Sequence, residues 1–267
     1  MIRAWRLQFG LRSLLAVLLL AGLLLGAWHM FIETPRAQEQ QRIAAMRREG
    51  ADVETATRGP QWFQAIFGEY YSQRVVSVMR GEGPQDAELL RLATQCRWLE
   101  GLALVNCGQL SSSEIDAVGG LKHLRTLNLS RANIPTDSLE FLAELGEFEE
   151  LELYDVKVGD DALRPIARLA KLRTLRLDGT LASDAAMSCV AQCRQLEVLT
   201  LRGTDVSDDG VRLLHDLPKL RRLDLRIPPS FLRGVGPAPD PFPNTSEVSG
   251  EAVAALWQSH PQLRIRW

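Results

Sequence analysis

Four cysteines are the first residues of this chain whose spacing could support chemistry. Cys189 and Cys193 lie four residues apart, so they would share one face of a helix, while Cys96 and Cys107 lie far upstream. Such residues can form disulfides or bind a metal ion, but no Cys-x-x-Cys pair typical of zinc sites occurs. The alternative is that the cysteines are small buried hydrophobic residues.

Pairs of acidic residues could bind calcium or transfer protons. Asp160 and Asp161 form one pair, and Asp208 and Asp209 form another, directly after Ser207. Similar segments that begin with Ser, Thr, Asp or Gly recur at regular intervals. This pattern is typical of helix N-termini, where side-chain oxygens accept the first amide hydrogens and acids favour the helix dipole. We therefore interpret the acids as helix-capping residues.

The four histidines do not form a catalytic arrangement. His29 lies in an apolar run, and His123, His215 and His260 are scattered along the chain. The sequence contains no Gly-x-Ser-x-Gly motif, no phosphate-binding glycine loop after a strand and no His-Glu-x-x-His motif. We predict that the chain is not an enzyme and has no cofactor, no metal site and no small-molecule substrate.

The pattern that must position these residues is Leu-x-x-Leu-x-Leu, which occurs six times and is called the leucine ladder below. Its first positions are spaced 25, 24, 24, 24 and 24 residues apart and are Leu99, Leu124, Phe148, Leu172, Leu196 and Leu220. A period of roughly 20 to 29 residues is typical of a leucine-rich repeat. We predict an α/β solenoid in which a curved parallel sheet lies inside and short helices lie outside.

The repeat alignment assigns the cysteines to core positions. Cys96 and Cys193 lie three residues before the first ladder position, where other copies have Leu121 and Leu169. This alignment favours burial over reactivity. Pro165 falls inside one of the outer helices, which we expect to be short or bent because proline lacks an amide hydrogen.

The residues between the ladder leucines should line the concave face of the sheet, because side chains alternate along a strand. Two columns result, and Glu152 should face Arg176 while Asp178 should face Arg202. The columns could be a self-neutralised surface or a binding groove with Tyr154 as aromatic anchor. Their predicted partner-binding residues are Asn128, Ser130, Glu152, Tyr154, Arg176, Asp178, Thr200, Arg202, Asp224 and Arg226.

The N-terminal region predicts a membrane anchor. A basic tail at 1–12 precedes an apolar run at 13–32, and twenty helical residues span about the thickness of a bilayer core. A cleaved signal peptide is the alternative, but its apolar region is shorter. We predict a single-pass transmembrane helix with the repeats outside the cytoplasm, followed at 33–58 by a linker with an amphipathic helix.

Both ends of the ladder should be capped. Residues 59–98 form the N-terminal cap, with an aromatic helix and a strand that matches the second and third ladder positions with Val76 and Val78. Residues 99–227 hold the repeats. A Pro-rich insertion at 228–250 could be a recognition loop through Phe231, Leu232 and Phe242, or a tolerated excursion. Residues 251–267 form the C-terminal cap, whose strand matches the ladder with Ile265 and Trp267.

The phrase Leu-x-Leu-x-Gly-Thr-x-x-Ser-Asp-x-Gly/Ala, at 175–186 and 199–210, resembles the RNI-like leucine-rich repeats of bacterial, planctomycete-type proteins. F-box leucine-rich proteins, which are substrate receptors, share this repeat style. The resemblance implies the fold and a binding role. The near-neutral charge, 31 basic against 33 acidic residues, disfavours nucleic acid.

Three functions follow as hypotheses. The first is a membrane-anchored, non-catalytic module that binds an unknown protein partner on the concave face. The second is a structural or envelope scaffold that acts through the Pro-rich insertion or through self-association. The third, a substrate-receptor role like that of F-box proteins, has less support because the anchor and cap fill the space before the repeats.

Overall fold

The computed structural model describes residues 11–28, 34–57, 73–80, 86–135, 139–226 and 248–267. The aromatic segment of the predicted N-terminal cap and the loop candidates Phe231, Leu232 and Phe242 lie outside these residues. The chain divides into two compact units, one of residues 1–44 and 57–73 and the other of residues 45–56 and 74–267.

Two helices come first, α1 at Leu11–Trp28 and α2 at Thr34–Arg48. In the described residues no helix combines the length and the apolar character that crossing a membrane requires. The predicted membrane segment 13–32 continues past the end of α1, and its last four residues lie outside the described part. Helix α2 corresponds to the predicted amphipathic helix, and Gly50 follows its end with a left-handed φ of 82°.

Within the described residues, the repeats and their flanking segments build one sheet of nine strands. The spatial order of the strands equals their order in the chain, and β2 to β9 pair in parallel. The chain therefore winds as a solenoid, as the ladder predicts. The strands are β1 Asp52–Thr57, β2 Gln73–Arg80, β3 Gly101–Leu104, β4 Thr126–Asn128, β5 Glu150–Glu152, β6 Thr174–Arg176, β7 Val198–Thr200, β8 Arg222–Asp224 and β9 Arg264–Arg266.

Short helices connect successive strands, in several copies as one α-helical turn that tightens into a 3₁₀ turn. The α-helices of this unit are α3 Asp86–Ala93, α4 Ser112–Asp116, α5 Asp160–Leu163, α6 Asp184–Val190, α7 Asp208–Leu213 and α8 Gly250–Ser259. Helix α5 is only four residues long and gives way to a 3₁₀ turn, Arg164–Arg168, with Pro165 near its start. The expected effect of Pro165 is confirmed.

The ladder residues form the core between sheet and helices. Leu102, Leu127, Leu151, Leu175 and Leu199 are partners in the strand register and are at most 2% exposed. Burying a leucine side chain contributes about 2 kcal/mol relative to exposing it. No single repeat can bury its own leucines, so each copy depends on its neighbours.

The cysteines behave mostly as the repeat alignment predicts. Cys96, Cys107 and Cys193 are buried and Cys189 is half-buried, and all four are free thiols. Burial raises the pKa of Cys193 to about 12, with a smaller contribution from Cys189. The thiol therefore stays protonated at neutral pH, which makes it a poor nucleophile and metal ligand.

The predicted register of the first cap strand is wrong. Val78, not Val76, pairs with the second ladder position Leu102, so the copy begins at Val75, which is fully buried. The pattern in this strand is ambiguous because three valines lie within four residues. At the other end, Ile265 pairs with Leu223, as predicted. Strand β1, within the expected linker, was not predicted.

The turns after β3 to β7 each contain a residue of positive φ, at Asn106, Arg131, Asp155, Gly179 and Gly203. Most of these amides donate a hydrogen bond to a carbonyl of the next repeat; the Gly179 amide, for example, lies 2.7 Å from the Arg202 oxygen. The left-handed conformation favours Gly, Asn and Asp, which occupy four of the five positions.

A second repeating interaction joins the helix starts. The Asp160 carboxylate accepts hydrogen bonds from the Ser183 amide at 2.8 Å and hydroxyl at 2.7 Å. Asp184 binds Ser207 in the same way, and Asp208 binds Ser249 across the Pro-rich insertion. These aspartates therefore link each helix to the next, a role beyond the predicted capping of their own helices. Ser183, Ser207 and Ser249 themselves cap α6, α7 and α8.

The link between Asp208 and Ser249 should make the C-terminal cap sensitive to acid. Hydrogen bonds from Ser249 lower the pKa of Asp208 below its ordinary value of 3.8. A depressed folded-state pKa means that the stabilisation is complete above the ordinary pKa and is lost as the pH falls through the lower value. We expect Ser249→Ala to lower the melting temperature at neutral pH, by an amount that shrinks in acid.

The measurement is the melting temperature of the wild-type protein and of the Ser249→Ala variant at several pH values, from neutral pH to below 3.8. Part of the deficit will persist at low pH, because Ser249 also caps α8. Ser188→Ala is the matched control, since the Ser188 hydroxyl donates only within its own helix, to the Ala185 oxygen. A deficit for Ser249→Ala that is the same at neutral and acid pH would contradict the link.

Candidate functional site

The concave face is the face of the sheet that carries the residues between the ladder leucines. Its central row consists of register partners on neighbouring strands, which lie about 4.8 Å apart in a parallel sheet. Residues at equivalent positions of successive repeats therefore lie side by side on this face. The members of the row are Met79, Ala103, Asn128, Glu152, Arg176, Thr200, Asp224 and Arg266.

Glu152 joins the residues on either side of it. The Arg176 Nε lies 3.0 Å from one Glu152 oxygen, and the Asn128 side-chain amide donates to the other. The predicted pair of Glu152 and Arg176 is confirmed. The Arg176 side chain keeps 45% of its surface exposed, so the ion pair orients the guanidinium and leaves it accessible.

Asp178 forms a buried network below the face. Its carboxylate accepts hydrogen bonds from the Thr200 hydroxyl at 2.7 Å, from the Arg202 amide at 2.8 Å and from the Arg202 Nε at 3.2 Å. The predicted pair of Asp178 and Arg202 is therefore confirmed. Hydrogen bonding to Asp178 also raises the pKa of Arg202. Asp178 is only 2% exposed, and its hydrogen bonds hold Arg202 in place.

Asp224 and Arg226 pair with each other within β8 and the residues after it. The Arg226 Nη2 lies 2.8 Å from one carboxylate oxygen and Nε lies 3.0 Å from the other. Burial acts to raise the pKa of Asp224, but the hydrogen bonds from Arg226 outweigh it and lower the pKa. Asp224 is buried while Arg226 is exposed, so this pair repeats the arrangement of Asp178 below Arg202.

Tyr154 is half-buried at the middle of the face. The Arg131 guanidinium carbon lies 5.3 Å from the centre of its ring, which is within cation–π distance. The Tyr154 amide donates to the Ser130 hydroxyl at 3.3 Å. Ser130 is itself buried, and its amide donates to the Asn128 side-chain oxygen at 2.9 Å.

The structure thus brings the ten predicted residues together on one face but divides them by accessibility. Ser130, Asp178, Thr200 and Asp224 are buried and support the others. The accessible residues, exposed or half-exposed, are Asn128, Glu152, Tyr154, Arg176, Arg202 and Arg226.

Sequence reasoning missed a third column, one strand position before the second ladder leucine. Strand alternation places it on the same face as the central row, so the two-residue periodicity could have revealed it. Its members are Ser77, Gly101, Thr126, Glu150, Thr174, Val198, Arg222 and Arg264.

Small side chains in this column open a shallow groove of about 160 Å³ between β2 and β5. Its lining includes Gly101, Ala103, Glu150 and Glu152. Burial raises the pKa of Glu150, and the neighbouring charge of Glu152 adds to this effect. A Cβ at Gly101 would lie 3.0 Å from the Thr126 hydroxyl oxygen, so a larger residue at this position would require the Thr126 side chain to shift.

Among the residues that the structure describes, no three His, Cys, Asp or Glu side chains lie close enough together to hold a metal ion.

Solved structures place this architecture among leucine-rich repeat proteins. The chain is similar to an internalin from Listeria monocytogenes, with a TM-score of 0.54 and 19% sequence identity over 72% of this chain and 47% of the internalin. It thus spans about half of that protein's length. It also aligns with the Arabidopsis receptor kinase HAESA, solved with the peptide hormone IDA and the co-receptor SERK1, at a TM-score of 0.43 and 24% identity, over 60% of this chain and 28% of the kinase.

No protein-family model and no curated protein matches the chain. The comparison with the internalin defines the class of protein by its fold: this chain has the leucine-rich repeat fold.

The Asp178 network generates a stability prediction. Asp178→Ala should lower the free energy of unfolding by about 2 to 4 kcal/mol, because it leaves the Thr200 hydroxyl and the Arg202 amide without their acceptor. Chemical denaturation measures the loss. Asp205→Ala is the control, since Asp205 lies exposed in the next repeat; a loss as small as that of the control would mean that the network contributes little.

Proposed function

We propose that this chain is a non-catalytic protein-interaction module that binds a protein partner on its concave face. The observation that carries the proposal is a set of accessible side chains in fixed positions: three arginines held by carboxylates beneath or beside them, and Tyr154 against the Arg131 guanidinium. Tyr and Arg are the residue types that most often dominate binding energy at protein interfaces. Because Glu152 and Asp178 already orient Arg176 and Arg202, little side-chain entropy is lost on binding.

The shape of the face supports a macromolecular partner over a small molecule. The groove at Gly101 and Ala103 encloses about 160 Å³, whereas small-molecule sites usually enclose about 300 to 1,000 Å³. The accessible residues instead extend over five neighbouring strands, from Asn128 on β4 to Arg226 after β8. An extended row of this kind suits a protein surface or a peptide that crosses the strands.

The most direct test of partner binding on the concave face is site-specific photo-crosslinking in cells. A photoreactive amino acid replaces Tyr154 or Arg176 on the concave face. Arg212 on α7 is the control position, because its side chain is more accessible than either and lies on a helix. We expect one protein to be captured from both concave positions and not from 212. Tyr154→Ala combined with Arg226→Ala should reduce capture from position 176 by at least about tenfold.

Two outcomes would count against the concave site. One is that no protein is captured from either concave position. The other is that capture survives the double substitution but disappears when residues 230–245 are deleted, which would favour the scaffold function through the Pro-rich insertion.

The subclass of the repeats belongs to the same proposal: we assign them to the RNI-like type on the phrase at 175–186 and 199–210.

We further propose that the N-terminal segment anchors this module to a membrane with the repeats outside the cytoplasm. The support is the twenty-residue apolar run at 13–32 and the exposure of its leucines around α1, with Leu18 59% and Leu23 72% exposed. A water-soluble helix would bury one apolar face and keep the other polar. The basic residues of 1–12 suit the cytoplasmic side of an anchor.

Leu18→Arg combined with Leu23→Arg should release the chain from membranes. A charged side chain at the centre of a transmembrane helix costs about 3 kcal/mol, so two of them should prevent stable insertion. The measurement is the share of protein that stays with membranes after an alkaline carbonate wash. Arg3→Ala is a control that leaves the apolar run intact; wild-type protein in the washed supernatant would contradict the anchor.

A further inference from the structure

Charges along most of this sheet are neutralised between neighbouring repeats. At the strand starts, the Arg125 Nη1 lies 2.8 Å from the Glu149 carboxylate, and the Arg173 Nη1 lies 3.6 Å from Glu197. In the next row along the edge, Lys171 lies 2.7 Å from Glu147. The repeat makes this possible, since each residue lies beside its counterpart in the next copy.

The alternation ends at β8 and β9. Arg222 is the register partner of Arg264, so two guanidinium groups start from strands about 4.8 Å apart on the same face. Arg266 is the partner of Asp224, but that carboxylate already holds Arg226. Within the described residues, no hydrogen bond or ion pair is made by the side chains of Arg222, Arg264 or Arg266. All three residues are exposed.

Like charges opposite each other on neighbouring strands are destabilising. At one end of the concave face the fold accepts this repulsion without a carboxylate that pairs with either arginine, whereas the neighbouring Arg202 and Arg226 each have one. Guanidinium groups bind carboxylates in a planar, bidentate geometry that lysine does not offer. The surface of Arg222, Arg264 and Arg266, called the arginine patch below, is therefore complementary to a ligand that carries two or more carboxylates a few ångströms apart.

We propose that the arginine patch binds an acidic segment of the protein partner, with Asp or Glu side chains paired to Arg222 and Arg264. This inference rests on the proposed function, because the patch continues the accessible row of the concave face beyond Arg226. It names the chemistry of the partner: a strand or loop whose consecutive same-face residues, about 7 Å apart, are acidic.

The distribution of charge favours an acidic protein over a nucleic acid. A phosphate backbone needs a basic path over several nucleotides, and its binding requires several unpaired cations. On the strands before the patch, Arg202 and Arg176 are already paired with Asp178 and Glu152. The whole chain also has a net charge of −2. On the described concave face the unpaired positive charge is therefore local and matches a short acidic segment.

The test measures binding of a fluorescein-labelled peptide of alternating Glu and Gly, by fluorescence anisotropy, to the full chain in mild detergent at low salt. We expect saturable binding that weakens by at least about tenfold as sodium chloride rises from tens to hundreds of millimolar. A Lys and Gly peptide of equal length should not bind.

Arg222→Gln combined with Arg264→Gln should weaken peptide binding by at least about tenfold, because it removes both guanidinium groups that would bind the carboxylates of the peptide. Arg125→Gln combined with Arg173→Gln is the matched control: it removes the same charge from the same sheet, at residues already paired within the chain, and should change the affinity by less than about twofold. Equal losses in both variants would overturn the proposal, since they would show a response to net charge alone.

Other probes separate the alternatives. Tighter binding of a labelled single-stranded oligonucleotide, or of vesicles that contain phosphatidylserine, would identify a different ligand and overturn the acidic-protein assignment. Tyr154→Ala should leave the affinity for the Glu and Gly peptide unchanged within about twofold. If crosslinking at 154 fails while the peptide still requires Arg222 and Arg264, the proposed site is wrong and the arginine patch stands by itself.

Discussion

The parallel register that places each repeat beside the next is the constraint on which this structure depends. It aligns Leu127, Leu151 and Leu175 in one buried column and so makes a core that no single copy contains. The same register brings together the groups that form the hydrogen bonds at the left-handed turns. It also places each helix-start aspartate beside the serine of the next repeat. Because these interactions are between neighbours, the stability of the solenoid is a sum of local interfaces, and its ends are where that sum is least complete.

Register also dictates the chemistry of the surface. A residue in any column lies about 4.8 Å from its counterparts, so a repeated charge would repel itself along the whole sheet. Most columns avoid this by alternating sign, as with Glu152 and Arg176, or by lowering one carboxylate into the sheet, as with Asp178. Accessible arginines above buried acids are the result. The arginine patch departs from this pattern because β9 places Arg264 beside Arg222 without an intervening acid.

The structure changes two functional interpretations of the sequence: the role of the acids at the helix starts and the role of the predicted contact residues. Among the acids at the helix starts, Asp160, Asp184 and Asp208 connect helix starts between repeats. The acids that directly follow Asp160 and Asp208 are exposed, as Asp209 is beside Arg212. Four of the ten predicted contact residues are buried supports. Both findings concern where a side chain directs its polar atoms, which the spacing of residue types does not specify.

The sequence by itself determined the repeat, the parallel sheet with outer helices, the burial of Cys96, Cys107 and Cys193, and the pairs on the concave face, because these follow from periodicity and strand alternation alone. The tertiary structure decided the register of β2, where three valines in four residues allow more than one alignment. It also decided the existence of β1, the division of the concave row into supports and contacts, and the pairing of Asp224 with Arg226, which leaves Arg266 without that carboxylate. Where the repeat period is interrupted, periodicity does not predict the alignment of the strands. Periodicity also does not specify where a side chain directs its polar atoms.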